Sequence, residues 1–317
     1  MPGLFTIAKK ELLDIVTEKK FLLIFATLLI VVLVSSFQGY NVGGSRTIAT
    51  IRGNNSEQEI PLIPVGSKNL YGAIDSMVNN FSMVGGLLAL AISVDTINKE
   101  RFSGSLKILL SYPVYRDAVI GGKYLGGLAA VTIVALTTFM AGIGVFVGVT
   151  GTPMTFDNTV RFLLFLGMSF VYLALFLGIG LLLSIVLPEP STSLLAAMII
   201  WLASTQLIPN LGWAIASIVY PSRLEVTETM SMFGPPPEFY LLKNTISGIS
   251  PSFSFEKTIE GVLTTSKLEF SGFTSINVPI SLGQALMTAL PNLVYLVFLL
   301  IVVFAVCYVT FTRQEVR

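Results

Sequence analysis

Six stretches of this sequence, each of 19 or more residues, carry no charged side chain. They are Phe21–Ser45, Ser76–Val94, Tyr124–Phe156, Phe162–Pro188, Pro190–Ser222 and the dense part of the last run, Ala285–Phe311. A helix needs about 20 apolar residues to cross roughly 30 Å of hydrocarbon. The runs are continuously apolar rather than alternating, which excludes membrane barrel strands. The chain is therefore expected to be an all-α integral membrane protein with six transmembrane helices, at 20–40, 71–96, 117–149, 159–187, 191–220 and 285–311. No small-residue cleavage site follows the first run, so it reads as a span and not as a cleaved leader.

Composition removes most other classes. Only 12% of the 317 residues are charged, against about 25% in soluble domains. With no histidine and one cysteine, Cys307, the chain has no His metal ligand, no Ser-His-Asp triad and no multi-cysteine metal site. No metal site, directly bound cofactor or catalytic residue is expected. A net charge of +1 gives no reason to expect a nucleic-acid partner.

Lysine and arginine set the orientation. With both termini on one side, that side holds 11 of them in short segments, and the other holds 8 spread over long loops. Both termini are therefore placed in the cytoplasm. Ahead of the first span, residues 3–19 read as an amphipathic helix on the membrane surface. Phe5, Ala8, Leu12 and Ile15 recur at helical spacing, with Lys9, Lys10, Asp14 and Glu18 elsewhere. The alternative is a plain extension of the first span. Residues 41–70 read as a polar outer loop with a strand or hairpin near Thr47–Arg52. Pro209 and Asn210 predict a kink or break in the fifth span. Residues 221–284 form a large outer loop with amphipathic pieces at 238–247 and 254–263, enough for a small cap. No sequence repeat relates the two halves.

The most informative segment runs from Asp95 to Gly126. Asp95, Lys99, Glu100, Arg101, Lys107, Arg116, Asp117 and Lys123 cluster there, interleaved with Ile97, Phe102, Leu106, Leu109 and Leu110. A solvated basic loop would need no such apolar stripe, nor Gly104 in its middle. Gly122-Lys123-Tyr124 is not a phosphate loop. Asp117 stands where glycine would be needed, and no Ser or Thr follows the lysine.

This block resembles the permeases of the type-2 ATP-binding-cassette exporters. The matching residues are Asp95, Glu100-Arg101, Gly104-Ser105, Leu109-Leu110-Ser111, Pro113-Val114, Arg116 and Gly122-Lys123-Tyr124. Ile7 to Asp14 is similar to that family's opening elbow helix. Ile249-Ser250-Pro251 resembles the Ser-Pro element of the subgroup holding the copper-site maturation permeases of nitrous oxide reductase. The resemblance implies a type V exporter fold, with a cytoplasmic coupling helix at 97–112. It implies a second permease copy (or a paralogous permease) and a separate cytoplasmic ATPase that brings ATP and Mg. Glu100 and Arg101 would be polar docking contacts, Phe102, Leu106 and Leu109 apolar anchors, and Gly104 a bend. The short turn Leu187–Ser191 departs from the pattern, having no basic residue for a second docking contact.

No Asp, Glu, Lys or Arg lies inside a span away from its ends, which argues against proton coupling. Gln206, Asn210 and Asn80 either line a translocation path or bond between helices. Gly122/Gly126 and Gly144/Gly148 stand at small-xxx-small spacing, a sign of tight helix packing. Cys307 reads as a small buried apolar residue. A different class of reading makes the chain a membrane anchor or scaffold whose outer segment binds a partner.

Overall fold

A computed structural model describes residues 2–42, 49–53, 56–60, 70–104, 116–151, 156–220, 235–263, 265–268, 276–279 and 281–313. Six of its helical stretches are long and apolar enough to span a membrane.

Helix α1 (Pro2–Thr17) breaks at Glu18, and α2 (Lys19–Val42) follows as the first span. Strands β1 (Ala49–Gly53) and β2 (Ser56–Ile60) form an antiparallel hairpin, Ala49 opposite Ile60 and Gly53 opposite Ser56. The second span is α3 (Leu70–Ser93). A short helix α4 (Asn98–Phe102) comes next, then the long spans α5 (Arg116–Thr150) and α6 (Phe156–Val186).

The fifth span begins with Pro190 in the first turn of α7 (Pro190–Leu202), where a missing N–H does no harm. It passes through a π-turn at Ala203–Leu207 into α8 (Ile208–Val219). The Ile208 N–H reaches back five residues to the Ala203 carbonyl. The break expected at Pro209 thus takes the form of a widened turn, which absorbs the hydrogen bond that proline cannot donate. After α9 (Pro237–Ser247) and α10 (Pro251–Leu263), strands β3 (Thr265–Leu268) and β4 (Ile276–Pro279) pair antiparallel. Helix α11 (Leu282–Arg313) is the sixth span.

Two expectations change. A helix continuous over 97–112 is not found. α4 ends at Phe102, and the chain turns at Gly104 with φ +72, where a side chain would be strained. Residues 105–115, with Leu106 and Leu109, lie outside the described residues. Of the two amphipathic pieces expected to contribute to a cap over 221–284, the second sits in the bundle instead. The pieces form α9 and α10, and α10 is buried among α3, α6, α11 and the π-turn.

Ser250 starts α10 by accepting from the Phe253 N–H, ahead of Pro251 at the first helical position. Phe255, Ile259 and Val262 are fully buried. Tyr172 stacks on Phe255 at 4.4 Å, while Phe139 meets Phe81 at 4.7 Å and Phe165 at 4.6 Å, both edge-on. This aromatic cluster joins α3, α5, α6 and α10. The polar atoms of α10 also find partners. The Ser204 and Ser252 hydroxyls meet at 2.8 Å, Tyr172 and Ser252 at 3.1 Å, and Ser82 donates to Glu256. Charge-free spans therefore do not exclude charge from their contacts, because α10 brings half-buried Glu256 against α3. At its far end Arg161 Nη1 donates to the Val262 carbonyl at 2.6 Å.

Candidate functional site

The Asp95–Lys123 block lies at the end of the bundle where α1 packs against α5. Helix α1 turns Leu4, Ile7, Ala8 and Glu11 onto that span. Phe5, counted above with the apolar stripe, is exposed instead. The approach is close because α5 presents Gly122 and Gly126. A β-carbon on Gly122 would stand 2.7 Å from Ile7 Cγ2, and one on Gly126 would stand 2.8 Å from the Ala8 carbonyl. The glycine spacing thus reports helix packing at this pair. Gly144 and Gly148 have nothing within 4 Å of such a carbon.

Between these glycines stands Lys123, only 2% exposed. Its ammonium lies 3.0 Å from Glu11 Oε2 of α1 and 2.8 Å from Glu100 Oε1 of α4, and it donates to the Thr96 carbonyl at 3.4 Å. A buried ammonium is tolerable only with such partners. Burial, the largest influence on Glu11, outweighs the pull of Lys123 and raises its carboxyl above the usual range. Two exposed ion pairs, Glu18 with Lys99 and Lys20 with Asp95, run along the edge of the same junction. The Glu18 bond raises the Lys99 ammonium.

On its other side α4 is tied to the turn between α6 and α7. The backbone N–H groups of Ile97 and Asn98 both donate to Ser184 Oγ, at 3.0 and 3.1 Å. In the amide orientation that satisfies every neighbour, buried Asn98 donates to the carbonyls of Leu187 and Ser184 and accepts from Ser193 Oγ at 2.7 Å. Arg101 donates to the Ile185 carbonyl at 3.1 Å.

Glu100 and Arg101, expected to point outward for docking, thus make their described contacts inward. Phe102 does the opposite and is 87% exposed at the tip, two residues before the Gly104 turn. The three candidate path residues are not gathered in one place. Asn80 donates to Ser35 Oγ at 2.9 Å across the α2–α3 seam, whereas Gln206 and Asn210 are exposed on the π-turn and α8. Cys307 is buried and donates weakly to the Gly178 carbonyl.

Sequence reasoning missed Glu11, Asn98, Ser184 and Ser193, and named Lys123 only as a member of the charged block. One signal was available. Glu11 falls on the helical face of Leu4, Ile7, Ala8 and Ile15, and a carboxylate in an apolar stripe asks for a buried partner.

Residues 5–316 match the ABC-2 family transporter proteins. The chain belongs to that family. No curated protein matches it. Membership agrees with the spans: this ABC-2 family chain is a multi-pass membrane protein and a membrane component of an ABC transporter.

Proposed function

We propose that this chain is the permease subunit of an ATP-driven exporter with the type V fold. It pairs with a second copy, or a paralogous permease, around a translocation path. A separate cytoplasmic ATPase supplies ATP and Mg, and both termini lie on its side of the plasma membrane. Helix α1 is the interfacial elbow, and the α3–α5 connection is the coupling contact. Closing of the ATPases displaces α4, and the spans joined to it change the exposure of the central path. Gln206 and Asn210, polar groups on an otherwise apolar exposed face, belong to that path or to the subunit contact beside it. The Ile249-Ser250-Pro251 element keeps the likeness to the nitrous oxide reductase maturation subgroup.

The observation that carries this reading is Phe102. A large apolar side chain stands 87% exposed at the tip of a turn whose Glu100, Arg101 and Asn98 are engaged inward. Such a tip suits insertion into a groove on another protein. The scaffold reading takes the 221–284 segment as a partner surface; its α10 is committed to the core, while α9 exposes Leu241.

The test is a mild-detergent pull-down of the tagged chain from its native host, with ATPase activity assayed. A stoichiometric ATPase that is lost on Phe102→Asp supports the exporter. Its absence at every stringency overturns the reading.

A further inference from the structure

The ammonium of Lys123 is bonded by three separate pieces of chain: Glu11 of α1, Glu100 of α4 and the Thr96 carbonyl after α3. It is the buried member of the junction, whereas Glu18–Lys99 and Lys20–Asp95 are exposed and screened by salt. The ties of α4 to the α6–α7 turn are of a different kind. Apart from Arg101, they are neutral hydrogen bonds through Ser184, Ser193 and Asn98. A charge-assisted bond in a buried site is about twice as strong as a neutral one. The Lys123 cluster is therefore the buried ionic tie that joins α1, α4 and α5.

We propose that Lys123 is a positioning residue that pins α4 and the N-terminal helix to α5, so that the three shift as one body. This rests on the coupling role given above to the α3–α5 connection. It adds α1 to the moving part and names the residue that holds it there.

The test is hydrogen exchange on the chain with its co-purified ATPase in lipid nanodiscs at high salt. The variant is Lys123→Met combined with Glu11→Gln and Glu100→Gln, which removes the pin without leaving a buried charge. Without nucleotide, exchange should rise at least about tenfold in both 2–17 and 94–104, the effect of losing a hydrogen bond to a charged group. A rise in only one segment, or in neither, overturns the pin.

With ATP, the native complex should change its exchange in both segments, and the triple variant in 94–104 alone. A purely structural lysine would leave that nucleotide response in α1 intact, and this result also overturns the proposal. Should the triple variant fail to insert, Glu11→Ala keeps a neutral Lys123–Glu100 pair. It should lose the α1 response while keeping that of 94–104, and an unchanged α1 response overturns the pin. If no ATPase accompanies the native chain, the exporter reading falls, while the nucleotide-free comparison still decides the pin.

Discussion

Two carboxylates face one ammonium at Lys123 in a buried place. Glu11 bears the consequence, its carboxyl held above the ordinary range chiefly by burial. A carboxyl raised in the folded state favours the fold while it is protonated. That contribution is fully present below the ordinary carboxylate range and is lost as pH rises through the raised value. Glu11→Gln keeps the shape of the protonated form at every pH. Thermal unfolding in detergent should therefore show the native chain losing stability across that window while Glu11→Gln holds its own. Parallel slopes for the two proteins would mean that Glu11 is already solvated in the fold.

At the scale of elements, the α1–α5 contact depends on glycine only where backbones meet. A Gly126→Leu change would drive a side chain into the Ala8 carbonyl and Glu11 Cβ. It should cost about 1–3 kcal/mol of overpacking. Gly148→Ala meets nothing within 4 Å, and it should gain about 0.5–1 kcal/mol from the helix preference of alanine over glycine. Unfolding midpoints for the two variants should move in opposite directions; a shared direction would count against the packing. The long helices were legible because a charge-free run of the right length has one solution in lipid. The π-turn was legible as a break, since proline forces one. The place of α10 was not. Its alternation of Ser, Phe and Ile is that of a surface helix, and what distinguishes it is the hydroxyl set of Ser82, Tyr172 and Ser204 on other helices. The charged block singled itself out by composition. The inward turn of Glu100 did not, because its partner Lys123 is also bonded by Glu11, 112 residues away in sequence.

At the scale of the whole molecule, α6 is buried along most of its length and stands at the centre, while α7, α8 and α11 show broad apolar faces. The seat of α10 lies between these two regions. Its Gly261 approaches the backbone of α11, where a β-carbon would be 3.1 Å from the Ala289 nitrogen. At 13 residues α10 spans only about 20 Å, too short to cross a bilayer alone. During synthesis it is made before α11, one wall of its seat, exists. A chain stopped after residue 281 should therefore be cut by protease within 251–263, a segment that the full chain protects; equal protection would show that α10 docks without its last wall. Completion of the last helix is thus what closes the seat of α10, and a ribosome that stalls before it leaves that helix short of one wall.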